Sequence, residues 1–132
     1  KYCNERIKNL KISKYLLFFL NEHYRKVKFY ISTGTPNNLI RKLVKQKKIK
    51  KYFTAIYGSP KTKVDHIKSI IKKTDKKKIL FIGDSNEDYL SAKKLKIVFL
   101  LKKNSENIKL SKNKSIKNFD NYIHLKKIID RM

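Results

Sequence analysis

The chain has 132 residues, of which 40% are hydrophobic, and a formal net charge of +25. This length corresponds to one domain with a sizeable core, and no apolar run approaches the roughly 20 residues that span a bilayer. The single cysteine, Cys3, excludes an internal disulfide, and no Cys/His spacing typical of a zinc site occurs. A reducing cytoplasm is the simplest compartment for such a chain.

The positive charge comes mainly from lysine, because only four of the 35 basic residues are arginines. The lysines are spread over the whole chain and do not form one block. A basic protein can bind nucleic acid electrostatically, but dispersed lysines are more typical of a solvated surface. Specific nucleic-acid binding is therefore not expected, although a basic nucleic-acid-binding protein is kept as one alternative function.

The predicted elements alternate between helices and strands. In chain order, hydrophobic periodicity predicts a helix over 4–23, a strand over 27–33, a helix over 37–46, a strand over 52–58 and a helix over 61–73. The second half continues with a strand over 77–83, a helix over 86–95, a strand over 96–101, a polar irregular stretch over 103–118 and a helix over 120–132. The letters "GTP" at 34–36 are expected to end the first strand.

This alternation predicts an α/β fold in which helices cover a parallel, Rossmann-like sheet. In such sheets, ligands bind beyond the carboxyl ends of the strands. All three glycines, Gly34, Gly58 and Gly83, lie at or just after the ends of predicted strands. The turns that need conformational freedom are therefore expected at one edge of the sheet.

Candidate phosphate-binding groups follow the first two of these strands. The first strand ends in "STGT", where Ser32, Thr33 and the backbone N–H groups near Gly34 suit an anion. The second leads into "GSPKTK", which offers Lys61 and Lys63. Hydroxyl and amide donors beside a lysine are suited to binding and neutralising a phosphate.

Acidic residues follow the third strand in "GDSNED". Asp84 and Asp88 are a candidate pair for Mg²⁺, which prefers carboxylate and water ligands that it often shares with substrate phosphate. Glu87 is expected to be a solvated acid in the first turn of the next helix, where it suits the helix dipole. Ser85 is either a helix N-cap or a further hydrogen-bond donor at this site.

With these three segments in this order, the chain resembles the haloacid dehalogenase-like (HAD) phosphohydrolases, in particular the phosphoglycolate-phosphatase-like members. "FYISTGTP" resembles the second motif of the family, with Thr33 the better match and Ser32 the alternative. "GSPKTK" resembles the third motif, with Lys63 preferred over Lys61. "GDSNED" resembles the fourth motif, GDxxxD, and is the most specific of the three.

The resemblance implies a Mg²⁺-dependent phosphatase that hydrolyses a phosphomonoester of a small metabolite through an aspartyl-phosphate. It implies that Thr33 and Lys63 act in catalysis and, together with Gly34, bind the substrate phosphate. Asp84 and Asp88 would hold the metal ion. A non-catalytic HAD-like binding or scaffold module is the main alternative.

The first motif of the family, a D-x-D that carries the nucleophile and the general acid/base, is missing from these 132 residues. The first aspartate of any kind is Asp65. We therefore expect the first motif to precede residue 1 in a longer protein, whose N-terminal segment would complete the sheet with its central strand. The 132-residue chain alone is expected to be inactive.

The spacing of the motifs also predicts the domain organisation. Only 30 positions separate Thr33 from Lys63, so no cap domain fits between the second and third motifs. A substrate-covering cap is expected between the first and second motifs. We accordingly assign residues 1–26 to a helical segment at the junction of cap and core, and residues 27–132 to the HAD-like core.

Overall fold

The structure of the protein, a computed structural model, describes residues 14–122 and 125–130. The predictions for Cys3, for the first part of the helix over 4–23 and for parts of the helix over 120–132 therefore lie outside the described residues. Within the described ranges, no helix has the length and apolar character required to cross a membrane.

Helices and strands alternate through the described chain, as the sequence predicts. In the first half, the elements are α1 (Lys14–His23), β1 (Phe29–Pro36), α2 (Asn37–Gln46), β2 (Phe53–Ser59) and α3 (Lys63–Ile71). In the second half, they are β3 (Leu80–Gly83), α4 (Asn86–Leu95), β4 (Val98–Lys102), α5 (Ile108–Ser111), β5 (Lys117–Phe119) and α6 (Leu125–Asp130). Short 3-10 turns, Lys50–Tyr52 and Lys76–Lys78, precede β2 and β3.

The chain divides into two compact units, Lys1–His66 and Ile67–Met132. The first unit contains a parallel pair of strands, β1 and β2. The second contains a parallel three-stranded sheet in the order β3-β4-β5. The predicted α/β class, with parallel strands flanked by helices, is confirmed, whereas the position of a further central strand stays a prediction.

The core of the first unit is built on one face of α2. Ile40 and Val44, four residues apart on that helix, form a buried cluster with Ile49 and with Ile56 of β2. The spacing of one helical turn places both α2 residues on the same side, which packs against the strand. Half-buried apolar residues complete the cluster: Leu17, Ile31, Tyr52 and Phe53.

The core of the second unit surrounds its middle strand. Leu100 and Leu101 of β4 have no exposed surface. Because consecutive strand residues point to opposite faces, β4 is covered on both sides, as is typical of a central parallel strand. Ile67, Ala92 and Ile97 form the buried cluster of this unit.

Two of the differences from the prediction, at the end of β1 and at β5, have the same physical reason. β1 continues through Gly34 to Pro36, although "GTP" was expected to end it, because Pro36 pairs with Ser59 of β2. The stretch predicted to be irregular, 103–118, contains the short helix α5 and the first two residues of β5, whose three residues pair with the end of β4. In both cases, pairing with a neighbouring strand imposes an extended conformation on residues that have a weak preference for it.

Candidate functional site

Thr33 lies near the end of β1, where its side chain is held by its neighbour. Thr33 and Thr35 are both buried, and strand alternation places them on the same side of β1. The Thr33 hydroxyl donates to Oγ1 of Thr35 at 3.2 Å and accepts the backbone N–H of Thr35 at 3.2 Å. The Thr33 side chain therefore has a fixed orientation, while Gly34 between the two threonines is exposed.

Gly58 brings the end of β2 against the end of β1. Its N–H donates to Oδ1 of Asn37 at 2.7 Å. A Cβ atom at this position would lie 2.9 Å from the backbone nitrogen of Asn37 and would collide with the carbonyl oxygen of Thr35. Only glycine permits this close approach, which joins the "STGT" strand end to the turn that leads to Lys63.

Lys63 is the first residue of α3 and is 4% exposed, whereas Lys61 lies in the preceding turn and is exposed. The helix start is fixed by a reciprocal pair of bonds. Thr62 Oγ1 accepts the N–H of Asp65 at 3.2 Å, and Asp65 Oδ2 accepts the N–H of Thr62 at 3.2 Å. Burial of a lysine is costly unless its charge is compensated, which distinguishes Lys63 from the many solvated lysines.

In the second unit, Asp88 organises the loop between β3 and α4. Its Oδ2 accepts the backbone N–H groups of Asp84 at 3.1 Å and Ser85 at 3.3 Å, and Ser85 Oγ accepts the N–H of Asp88 at 3.1 Å. This capping box assigns Ser85 the N-cap role that the sequence left open. A Cβ at Gly83 would lie 2.6 Å from Oδ2 of Asp88, so glycine is needed there as well. The loop that carries Asp84 is thus fixed by the buried Asp88 carboxylate.

Asn107 is a second support of the same loop, and the sequence reasoning missed it. Its Nδ2 donates to the carbonyl oxygens of Asp84 and Lys102, each at 2.9 Å, and its Oδ1 accepts the N–H of Asn104 at 2.9 Å. Asn107 is 6% exposed. It lies in the stretch predicted to be irregular, and no local signal distinguishes it from the other asparagines nearby.

The acidic residues suit Mg²⁺ by their chemistry. No cluster of three or more His, Cys, Asp or Glu side chains able to hold a metal ion occurs in the part of the chain that the structure describes. Mg²⁺, however, is usually bound through one or two carboxylates, with waters and substrate phosphate in the remaining positions. Asp84 and Asp88 fit that donor type, and the exposed Glu87 lies in the first turn of α4, where it was expected.

Parallel strands alternate with helices, and candidate site residues lie at or after the ends of β1, β2 and β3, which defines the chain as an α/β protein. The family model described as haloacid dehalogenase-like hydrolase matches residues 1–102. The chain therefore belongs to the haloacid dehalogenase-like hydrolase family. The matched range includes all three segments that carry the candidate site residues. No curated protein matches the chain.

Several solved structures share the fold. A candidate phosphatase of Clostridium difficile superposes with a TM-score of 0.75 at 22% identity, covering 93% of this chain and 62% of that one. A haloacid dehalogenase-like family hydrolase of Streptococcus pneumoniae gives 0.74 at 20% identity, covering 89% and 59%. A HAD-superfamily hydrolase of Ehrlichia chaffeensis gives 0.74 at 20% identity, covering 93% and 60%. The chain thus spans about three fifths of the length of these proteins, and the likeness concerns the fold.

Proposed function

We propose that the protein is a Mg²⁺-dependent phosphatase that hydrolyses a phosphomonoester of a small metabolite through an aspartyl-phosphate. The observation that carries the proposal is the family match over residues 1–102, which spans the three motif segments in the family's order. Phosphatase chemistry in this proposal needs groups that bind the phosphate, a cation that neutralises its charge and a carboxylate nucleophile.

Thr33, Gly34 and Lys63 bind the substrate phosphate in this proposal. Support comes from the fixed orientation of the Thr33 hydroxyl and from the burial of Lys63 at the start of α3. A helix N-terminus favours an anion, so the lysine charge and the helix dipole act in the same direction. Ser32 is the alternative to Thr33, and its hydroxyl is hydrogen-bonded to a histidine ring at 2.7 Å.

Asp84 is the proposed ligand of Mg²⁺, and Asp88 supports it. Bound Mg²⁺ would neutralise phosphate charge and orient the phosphoryl group for attack. The chain's own contribution is the rigid loop, in which Asp88 holds the backbone N–H of Asp84 and Asn107 holds its carbonyl oxygen. A preorganised ligand loses little conformational entropy when the cation and the substrate bind.

The nucleophile and the general acid/base are not among these 132 residues, which contain no D-x-D. We propose that a preceding segment of the same protein supplies both aspartates and that the 132-residue chain alone is inactive. A cytoplasmic location fits the single cysteine. The partners in this proposal are the phosphorylated substrate and that segment, with neither a membrane nor a specific nucleic acid.

The test is phosphatase activity of the protein that contains this chain, measured with p-nitrophenyl phosphate and a panel of phosphorylated metabolites, with Mg²⁺ and with EDTA. We expect Asp84→Asn and Lys63→Ala to lower kcat/KM by about 100-fold or more, because each removes a charge that stabilises the transferred phosphoryl group. Lys61→Ala is the matched control and should retain activity. Near-wild-type rates in both variants would overturn the proposal, and an inactive wild-type protein would favour the non-catalytic alternative.

A further inference from the structure

His66 is a buried titratable group that the proposed mechanism does not use. It lies on α3, three residues after Lys63, and is 1% exposed. From the sequence alone, it would be a surface or helix residue without a partner. The structure instead places its ring against residues of both β1 and β2.

Both ring nitrogens of His66 are hydrogen-bonded, and the partners determine the direction of each bond. Nε2 lies 3.0 Å from the carbonyl oxygen of Gly58, which can only accept, so Nε2 carries the hydrogen. Nδ1 lies 2.7 Å from Oγ of Ser32. Burial lowers the pKa of His66 below its ordinary value of 6.5, so the ring is neutral at pH 7 and Nδ1 accepts the Ser32 hydroxyl hydrogen.

The face of the His66 ring also contacts an aromatic side chain. It stacks on Tyr57 of β2, with centroids 5.5 Å apart and planes inclined by 21°. Tyr57 in turn stacks on Tyr30 of β1 at 6.3 Å. An imidazole with two directed hydrogen bonds and a stacked face has a single orientation. It therefore also fixes the positions of its two hydrogen-bond partners, Ser32 and Gly58.

Those two partners adjoin the proposed phosphate-binding residues. Ser32 is the neighbour of Thr33 in β1, and Gly58 lies near the end of β2, from which a short turn leads to Lys63. The backbone N–H of His66 also donates to the carbonyl oxygen of Thr62, next to Lys63, at 3.0 Å. The side chain of His66 therefore bonds α3, the helix that begins with Lys63, to both β1 and β2.

We propose that His66 is a positioning residue for phosphate binding, whose neutral imidazole sets the spacing between the Thr33 strand end and the Lys63 turn. The inference rests on the proposed phosphatase function and adds to it a residue that does not touch the substrate. Thr33 and Lys63 bind phosphate both in the substrate complex and in the transition state. Loss of their spacing therefore raises KM and weakens inhibition by inorganic phosphate more than it lowers kcat.

Three substitutions separate positioning from simple core packing. His66→Phe keeps an aromatic ring for Tyr57 but removes both hydrogen bonds. His66→Gln retains a donor near the Nε2 position for Gly58, and His66→Asn retains an acceptor near the Nδ1 position for Ser32. The control is Ile40→Val, a core truncation in the buried cluster of the same unit, which lowers stability and removes none of these hydrogen bonds.

The experiment measures kcat, KM and the inhibition constant of inorganic phosphate in the protein that contains this chain. We expect His66→Phe to raise KM and the inhibition constant by about 10- to 100-fold, with partial recovery in His66→Gln or His66→Asn. Ring ¹⁵N chemical shifts should show a protonated Nε2 and an unprotonated Nδ1 in the wild type. Values in His66→Phe that match those of Ile40→Val would overturn the inference.

The outcomes separate this inference from the proposed function. A wild-type protein without phosphatase activity would overturn the function and, with it, the role of His66. An active wild type whose KM and phosphate inhibition are unchanged in His66→Phe would overturn the positioning role alone.

Discussion

The side-chain amide of Asn107 donates to the carbonyl oxygen of Asp84 at 2.9 Å, across 23 positions of the chain. The same amide donates to the carbonyl oxygen of Lys102, so one buried group joins the loop after β3 to the end of β4. The backbone of the proposed metal ligand is thereby held from one side by Asn107 and from the other by the carboxylate of Asp88. The loop geometry is therefore determined by hydrogen bonds within the chain itself.

Asn107→Ala should destabilise the protein and loosen this loop. The substitution removes three hydrogen bonds to backbone groups, and each buried group left without a partner costs about 1–3 kcal/mol. Urea unfolding should therefore show a loss of at least about 2 kcal/mol. Asn118→Ala is the control, since the Asn118 amide makes one such bond, to the carbonyl oxygen of Ser111. Equal losses in the two variants would contradict the prediction.

Asp88→Ala should cost more stability than Asp88→Asn. Asparagine keeps a side-chain oxygen that can accept the N–H groups of Asp84 and Ser85, whereas alanine removes both of these bonds. The bond from the backbone N–H of residue 88 to Ser85 Oγ remains in either variant. The difference in the free energy of unfolding should be about 1–2 kcal/mol, because alanine leaves two backbone N–H groups without these bonds. Phosphatase assays of Asp88→Asn would then report the effect of the charge separately from the effect of the cap. Indistinguishable stabilities of the two variants would show that the capping bonds contribute little.

The stability of the protein should fall at mildly acidic pH because of His66. The imidazole packs against Tyr57 and has Lys63 and Asp65 as its charged neighbours on α3, and burial lowers its pKa below 6.5. Below pH 6.5, the unfolded chain takes up a proton that the folded protein does not, so the free energy of unfolding decreases with falling pH. The contribution of His66 is complete above pH 6.5 and is lost progressively between 6.5 and its pKa in the folded state.

The measurement is urea unfolding from about pH 7.5 to 5.5 for the wild type and for His66→Phe. The difference between the two curves isolates His66 from the other titrating groups. We expect the wild type to lose stability more steeply than the variant over this range. Parallel curves would contradict the prediction.

Lys96→Gly should stabilise the protein. Lys96 directly follows the last residue of α4 and has the left-handed conformation, with φ 57° and ψ 44°, and its side chain is exposed. This conformation costs an ordinary residue about 1–2 kcal/mol but costs glycine little, so a net gain of up to about 1 kcal/mol is expected in urea unfolding. Lys94→Gly, at an exposed position inside the same helix, is the control and should lose about 1 kcal/mol. A loss in Lys96→Gly would contradict the prediction.

Elements with strong local signals were predictable from the sequence. The helix predicted over 86–95 matches α4 at both ends. Its start is encoded by Ser85 and Asp88, three residues apart, which can form the capping box without any other part of the chain. The helix predicted over 37–46 likewise matches α2, because its apolar residues recur at helical spacing.

Elements that depend on pairing were less predictable. The extension of β1 to Pro36 and the whole of β5 exist where residues meet a neighbouring strand. A three-residue segment such as Lys117–Phe119 is too short to show a detectable hydrophobic periodicity. Its extended conformation depends on pairing with β4.

The sequence by itself determined the alternation of helices and strands, the order of the three motifs and, through them, the family. These features depend on residue types at short spacings, which can be recognised directly in the amino-acid sequence. Only the tertiary structure decided which polar groups are buried together. His66 and Asn107 have partners 34 and 23 positions away, and a hydrogen bond over such a separation depends on strand register and packing. The residues next to His66 and Asn107 in the sequence do not indicate these long-range partners.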